Sequence, residues 1–382
     1  MTPPADDEPS KRPQAQPGTI RLGTIAGIDV RVAHSWFLIV ALLAILMAPA
    51  LQSRQPSLGA LAYLAGVAFA VLLYASVLLH EISHALAARG FGMHVSSINL
   101  HFLGGATEIE GEASTPWREF VIAVVGPLTS LAVGALGWWL QGWFENGLLW
   151  FVIAALALAN LVVGALNLVP GLPLDGGRVL QAAVWAVSSR RSLGVIVAAW
   201  GGRIAAVAAV LTPVLLLPAL DRQPDIFDYL FGFMIAAFLW SGATQSLAMT
   251  KFRDKLPLLQ GRRLARAAIG VPADLPLAEA IRRAQEANAG SLVVVTSDGR
   301  PSGIVNEEAV RSTPTERQPW LPCGDLARRL EDGLMLSADL TGEHLLRAMQ
   351  HTPATEYVLL EPNGSIFGVL VAKDVDAAFR AA

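Results

Sequence analysis

The residues best suited to chemistry form a His-Glu-x-x-His segment, 80-HEISH-84, at the end of an apolar run. Residues four apart lie on one face of a helix, so His80 and His84 can both reach one metal ion. Glu81 could take a proton from a water molecule at that metal without binding the metal itself. Two imidazoles and a carboxylate suit zinc, which lowers the pKa of its water to roughly 7. The alternative interpretation is a pair of helix-end histidines near lipid headgroups, although ionisable residues in a membrane span are costly and rare.

The third ligand of such a site is predicted to be Asp175, in the segment 167-NLVPGLPLDGGRVL-180. A catalytic zinc site usually has three protein ligands and water. Two prolines and three glycines interrupt this segment, and irregular backbone at membrane depth is tolerated only where it lines a cavity or is buried in protein. Alternatively, Asp175 only caps a helix that begins at Gly176 or Gly177.

An asparagine lies eight residues before that aspartate. Asn167 could hydrogen-bond a peptide substrate or stabilise a tetrahedral oxyanion. Asn167 and Asn160 could equally hold neighbouring helices together by hydrogen bonds. The pair Gly126-Pro127 is compatible with either a helix kink or a close-packing point.

Six long apolar runs must position these residues. The chain is 53% hydrophobic and 15% charged, whereas soluble proteins carry about 25% charged residues. A helix needs about 20 apolar residues to cross the hydrocarbon core. We therefore predict six membrane-spanning helices, with Arg203 near the end of the fifth or facing the protein interior. The predicted spans are 32–53, 55–79, 120–144, 146–174, 192–220 and 229–250.

The distribution of positive charge predicts the orientation. Lys and Arg are enriched in the cytoplasmic loops of membrane proteins. One set of span flanks holds most of these residues, whereas the other holds only Arg54 and Arg222. We therefore predict a multi-pass protein of the cell membrane, embedded in the lipid bilayer, with both termini in the cytoplasm.

Composition excludes several other kinds of site. The net charge of −3 says nothing about nucleic acid, but the sequence has no basic patch that would bind it, so no nucleic-acid partner is expected. A single cysteine, Cys323, excludes an intramolecular disulfide and a cysteine-rich metal site. Residues 1–19 are polar and proline-rich, which predicts a disordered tail before a membrane domain at 20–250.

Two further stretches are predicted to contain strands. The segment 93-MHVSSINLHFLGGATEIEG-111 interleaves apolar and polar residues around Gly104-Gly105, which predicts a hairpin, or β-loop, at about 92–112. In the C-terminal part, residues 291–310 align without gaps on residues 356–375 at an offset of 65. Each copy follows an amphipathic helix, so we predict two β-turn-β-helix repeats, at 255–315 and 319–382, that pack as a pair.

These motifs resemble the site-2 protease family of intramembrane metalloproteases. His80-Glu81-Ile82-Ser83-His84 matches its zinc-binding helix, and Asn167 with 174-LDGG-177 matches its second motif. Gly104-Gly105 matches the glycine-containing, membrane-associated β-loop between them. The resemblance covers roughly residues 19–250. It implies that His80, His84 and Asp175 bind one zinc ion, that Glu81 is the general base and acid, and that Asn167, Gly104 and Gly105 contact the substrate.

The resemblance also implies a substrate class and partners. Family members hydrolyse peptide bonds in or near transmembrane segments of other proteins, which in bacteria are often anti-sigma factors or signalling precursors. The six spans and the cytoplasmic tail are similar to the subgroup that ends in paired cystathionine-β-synthase (CBS) domains. The expected fold is therefore an α-helical polytopic membrane protein with a β-loop, followed by a cytoplasmic α/β tandem CBS-like domain, through which a homodimer is a further expectation.

CBS pairs commonly bind adenine nucleotides through a hydroxyl residue three positions after a glycine-hydrophobic turn and an aspartate three further on. The first repeat has Gly303, Asn306 and Ala309 at these positions, and the second has Gly368, Val371 and Asp374. Only Asp374 fits this pattern. The resemblance thus implies the fold of the pair and leaves an adenine nucleotide doubtful.

Three other functions compete with this interpretation. An inactive membrane scaffold would not need an intact set of metal ligands and base, yet all four residues are present. A CBS-regulated transporter predicts polar residues scattered along several spans, whereas these spans are nearly free of them. A membrane zincin that cuts prenylated proteins typically takes a glutamate from a second helical motif, whereas the candidate here is Asp175 in a Pro/Gly break.

Overall fold

The computed structural model describes residues 18–102, 104–145, 147–331 and 333–381. The chain divides into two compact units, Met1–Ala248 and Met249–Ala382. The predicted disordered tail, residues 1–19, lies outside the described residues except for its last two positions, and Thr19 already begins the first strand.

The first unit is built around long apolar helices. Within the described residues, six are long and apolar enough to cross a membrane, which confirms the predicted number of spans. The bounds of the helices are α1 Ser35–Arg54, α2 Leu61–Gly90, α3 Pro116–Gln141, α4 Leu148–Asn167, α5 Asp175–Ser188, α6 Arg191–Leu211, α7 Leu217–Ala219 and α8 Ile226–Lys255. The fifth candidate span joins α6, a π-helical turn and α7 over Arg191–Ala219, and the short α5 is not a span.

A four-stranded sheet accompanies these helices. Its strands are β1 (Thr19–Ile25), β2 (Ile28–Ala33), β3 (Val95–His101) and β4 (Gly104–Ile109), in that order. The predicted hairpin is confirmed by β3 and β4, which pair antiparallel. Sequence reasoning did not identify β1 and β2, although apolar residues alternate with polar ones in both. Strand β2 pairs parallel to β3, so it extends the hairpin into a sheet that leaves β4 at one edge.

The irregular segment 168–174 between α4 and α5 is held by close backbone packing. The backbone N–H of Leu172 donates to the carbonyl of Ala198 on α6, at 2.9 Å. A Cβ added at Gly202 would lie 1.9 Å from the carbonyl oxygen of Leu172. A Cβ at Gly242 of α8 would overlap the ring of Pro173, at 2.5 Å. Glycines on two spans therefore allow the irregular backbone to be buried in protein at Gly171 and Leu172, as is needed at membrane depth.

The second unit contains one seven-stranded sheet and the two predicted repeats. Its strands, in sheet order, are β8 (Ala327–Arg329), β7 (Pro301–Val305), β6 (Ser291–Val295), β5 (Arg266–Pro272), β11 (Ile366–Val371), β10 (Glu356–Leu360) and β9 (Met335–Ser337). The helices are α9 (Gly261–Leu264), α10 (Leu277–Glu286), α11 (Glu307–Ser312), α12 (Gly342–His351) and α13 (Ala372–Ala381). Helices α10 and α12 differ by 65 positions at both ends, which is the offset of the repeat.

The two repeats share a core, as predicted for a tandem pair. On β6, Leu292 and Val294 face one buried cluster, whereas Val293 lies in another. That second cluster joins Val293 and Ile304 of the first repeat to Val358 and Val369 of the second. Alternate strand residues point to opposite faces, so each repeat buries one face in its own core and the other against its partner repeat.

Candidate metal centre

Three polar side chains converge at the end of α2. The Nε2 atoms of His80 and His84 lie 3.1 Å apart. Oδ2 of Asp175 lies 3.1 Å from Nε2 of His80 and 3.3 Å from Nε2 of His84. The structure therefore brings together the three residues that the sequence predicted as ligands, although α2 and α5 are distant in the chain.

These distances fit one tetrahedral metal ion. Zinc ligands bind at about 2.0–2.2 Å, which places neighbouring tetrahedral ligands about 3.3 Å apart. Two imidazole nitrogens and a carboxylate oxygen are also the donor set of catalytic zinc sites, which keep a fourth position for water or substrate. The donor chemistry and the separations of His80, His84 and Asp175 therefore both suit zinc.

Hydrogen bonds at the far side of each imidazole fix its orientation. Nδ1 of His84 lies 2.6 Å from the carbonyl oxygen of Ile122, so Nδ1 carries the proton and donates it. Nδ1 of His80 lies 2.9 Å from Oγ of Ser130, which also belongs to α3. A protonated Nδ1 leaves the lone pair of Nε2 free for a metal.

A glycine on α3 makes room for both rings. A Cβ at Gly126 would lie 2.2 Å from Nε2 of His84 and 2.6 Å from Nε2 of His80. Gly126 is thus a close-packing point, which the sequence left undecided. Sequence reasoning missed Ser130, although the spacing of four between Gly126 and Ser130 places them on one face of α3 and could have linked them.

Glu81 sits beside the donor cluster and is held by the edge strand. The hydroxyl of Thr107 on β4 donates to Oε2 of Glu81, at 2.6 Å. A Cβ at Gly105 would lie 2.4 Å from Cγ of Glu81, so glycine is required for this approach. The side chain of Glu81 is buried, with one carboxylate oxygen committed to Thr107. Sequence reasoning missed Thr107, whose only signal was its place in the predicted hairpin.

The helix that carries Asp175 is anchored by a partly buried ion pair. Arg178, three residues after Asp175, donates through Nε to Oε1 of Glu119 at 2.9 Å. Glu119 is buried in the first turn of α3, and Nη2 of Arg191 lies 3.9 Å from its other oxygen. Asp175 is the first residue of α5 and Leu174 is the N-cap, so the alternative role of Asp175 as a cap is not supported.

The remaining residues that the sequence singled out have fewer contacts with the donor cluster. Asn167 is the last residue of α4, and no hydrogen bond links its amide to the donor cluster within the described part of the chain. The amide of Asn160 donates to Leu156 of its own helix, at 2.9 Å, so it does not join two helices. Gly104 has a φ of +132° and open space around it, whereas Gly105 contacts Glu81.

In the second unit, Asp374, which fits the adenine-nucleotide pattern, already forms an ion pair with Arg266. Arg266 of β5 donates to both carboxylate oxygens of Asp374, at 2.7 and 3.0 Å, and to Glu307 at 2.8 Å. The hydrogen bonds to Asp374 are the main cause of the raised pKa of Arg266. A cavity of about 170 Å³ is lined by Glu307 and by Glu356, whose pKa is raised by burial. Two carboxylates do not suit the phosphates of a nucleotide.

Comparison with known proteins gives two family matches. The model described as "Peptidase family M50" matches residues 68–146 and 142–211, and the model described as "CBS domain" matches residues 264–314. The protein named "Putative zinc metalloprotease Rip3" from Mycobacterium tuberculosis is 32% identical over 367 residues, which are 93% of this chain and 91% of that protein. The protein named "Putative zinc metalloprotease sll0528" from Synechocystis is 28% identical over 92% of this chain and 93% of its own length.

One solved structure is also similar to the membrane unit. It is titled "Site-2 Protease from Methanocaldococcus jannaschii" and is 26% identical. The match covers 60% of this chain and 95% of that chain, with a TM-score of 0.41.

The contact between Ser130 and His80 leads to a testable prediction. Replacing Ser130 by Ala removes the partner of Nδ1, so the ring of His80 is no longer fixed for metal binding. Loss of such a partner typically weakens metal affinity by about 10–100-fold. Zinc affinity, measured by competition with a chelator in detergent, should fall in this range.

The matched control is Ser76→Ala on α2, where the hydroxyl donates only to Leu73 of its own helix. This variant should keep the affinity of the unchanged protein. An affinity equal in both variants and the unchanged protein would show that Ser130 does not position His80.

Proposed function

The chain belongs to peptidase family M50 and is an intramembrane zinc metalloprotease, and from this premise we propose that Glu81 acts as its general base and acid. We also propose that His80, His84 and Asp175 hold the zinc ion. The observation that supports this most strongly is the convergence of the three donor atoms within about 3.3 Å of one another, with Glu81 beside them.

Zinc, when bound, supplies a Lewis acid that polarises the scissile carbonyl and makes water acidic enough to be deprotonated near neutral pH. Side chains of the protein position the base and transfer the proton. The hydroxyl of Thr107 holds Oε2 of Glu81, which leaves Oε1 to accept the proton of the attacking water. Glu81 then returns this proton to the leaving amine, so the carboxylate is regenerated after each cleavage.

The free edge of strand β4 could bind the substrate by backbone pairing. A helix hides its carbonyls in hydrogen bonds, so a transmembrane substrate must unwind before its peptide bond can be attacked. An unwound segment can add to an exposed strand edge through backbone hydrogen bonds. Within the described residues β4 pairs with β3 alone, and its residues Gly105 and Thr107 lie against Glu81. A substrate strand on β4 would therefore pass close to the proposed base.

The location of the site on an apolar helix supports a proposal for the class of substrate. The donor cluster lies on α2, one of the six candidate spans, and all three donors are largely buried. We propose that the substrates are transmembrane or membrane-proximal segments of other proteins, such as anti-sigma factors or signalling precursors, cleaved in regulated intramembrane proteolysis. Asn167 would contact the scissile peptide. The proposed location is the cell membrane, with both termini in the cytoplasm, since Lys and Arg are concentrated on one side of the spans.

The role of Glu81 predicts a specific effect of Glu81→Gln. The amide keeps the size of the side chain but cannot accept a proton, so cleavage should stop while zinc is retained. The measurement is mass spectrometry of new protein termini in membranes from cells that express either form. Cells with the unchanged protein should show cleavage sites in or beside transmembrane segments, and cells with Glu81→Gln should not. Identical sets of termini would contradict the proposed role.

The β4 edge predicts a change of substrate choice. Gly104→Ala strains the strand, because φ is +132°, yet it meets no neighbouring atom. The same measurement should show an altered set of cleavage sites, while zinc content stays unchanged. Gly111→Ala is the matched control, since Gly111 also has a positive φ and open space but lies outside β4. Equal loss of zinc and of cleavage in Gly104→Ala would reject the edge as the substrate site.

A further inference from the structure

An arginine lies deep inside the fifth candidate span. Arg203 follows Arg191, the first residue of α6, by twelve positions, which corresponds to about 18 Å along the helix. The span continues to Ala219, a further sixteen residues. The hydrocarbon core is about 30 Å thick, and Arg203 lies near the middle of the 29-residue span rather than at either end. Of the two positions predicted for this arginine, the structure does not support one near the end of the span, whereas its buried Nε is compatible with one that faces the protein interior.

The surroundings of Arg203 leave its charge without a counter-ion. Its guanidinium carbon lies 4.9 Å from the ring centre of Trp200 and 5.0 Å from that of Trp240. Nη2 donates to Oγ1 of Thr244 across a long distance of 3.4 Å. Nε is buried and has no acceptor, and no carboxylate lies within ion-pair distance among the residues that the structure describes.

The two tryptophans beside Arg203 are partly exposed, so Arg203 lies at the surface of the helical unit. Trp200 is 53% exposed and Trp240 is 48% exposed, on neighbouring helices α6 and α8. The preceding residue on α6, Gly202, packs against the segment that leads to Asp175. The surface formed by Trp200, Arg203, Trp240 and Thr244, which we call the Arg203 surface, is thus a partly exposed cation framed by aromatic rings.

A charged side chain within a span is costly and marks a functional site unless a partner neutralises it. A second copy of this chain offers no suitable partner. The carboxylates of the described spans are Glu81, Glu119, Asp228 and Asp254. Glu81 is buried beside the donor cluster, and Glu119 is buried in its ion pair with Arg178. Asp228 pairs with Arg222 at one end of α8, and Asp254 lies at the other end.

We propose that the Arg203 surface binds a transmembrane helix of another protein that carries an aspartate or glutamate in its middle third. A carboxylate there would accept from the two Nη groups of the guanidinium in a bidentate ion pair, and the helix would pack on the two tryptophan rings. The proposal does not rest on the peptidase activity, because docking is measured separately from cleavage.

The test uses the full-length protein in phosphatidylcholine vesicles and a fluorescent, lysine-flanked, leucine-rich peptide of about 24 residues. One peptide has a central aspartate, and its controls have asparagine or leucine there. Energy transfer should show about tenfold tighter association of the aspartate peptide at mildly alkaline pH. Arg203→Met should abolish this preference, and Arg203→Lys should keep part of it. Equal binding of the aspartate and asparagine peptides, which needs no variant, would overturn the proposal.

Arg54→Met is the matched control, because Arg54 also lies over aromatic rings, those of Trp150 and Phe151, but at a span end. It should leave the preference for aspartate unchanged. A preference that survives in Arg203→Met, or that is lost equally in Arg54→Met, would overturn the assignment to Arg203. Two other occupants would also overturn it. Competition by phosphatidylglycerol would identify a lipid, and self-association that depends on Arg203 without peptide would identify a second copy.

Discussion

The structure depends on one constraint, which is that three polar donor atoms must meet inside an apolar helical unit. Helix α2 supplies two of them through the spacing of His80 and His84. The third, Asp175, is the first residue of α5 and follows a break in the helical chain after α4. That break is possible at membrane depth only because Gly202 and Gly242 allow its backbone to be buried between α6 and α8.

The groups around the donors determine what they can do. Helix α3 fixes both imidazoles through Ser130 and the carbonyl of Ile122, and it anchors α5 through the partly buried pair of Glu119 and Arg178. The β-loop contributes Thr107 to Glu81, so the strand proposed to hold the substrate also positions the proposed base. Metal binding, proton transfer and substrate binding therefore depend on contacts among α2, α3 and β4.

Sequence reasoning identified the features that leave a pattern of residue types along the chain. The His-Glu-x-x-His spacing and the Pro/Gly break predicted the ligands, including Asp175. The apolar runs predicted the spans, and the repeat offset of 65 predicted the tandem unit. Sequence reasoning did not identify Thr107, Ser130 or the pair of Glu119 and Arg178, because each contacts a partner that is distant in sequence. Strands β1 and β2 were missed although they alternate, since their pairing with β3 is set by the sheet. The two positions predicted for Arg203 could not be separated, because an apolar run does not show which way a side chain faces.

The most direct test of the central claim is the zinc content of the purified protein and of four single variants. We predict about one zinc per chain in the unchanged protein and in Glu81→Gln. The content should fall in His80→Ala, His84→Ala and Asp175→Ala, because each removes one of three donors. Zinc that persists in Asp175→Ala, or a folded unchanged protein that binds no zinc, would contradict the proposed metal centre.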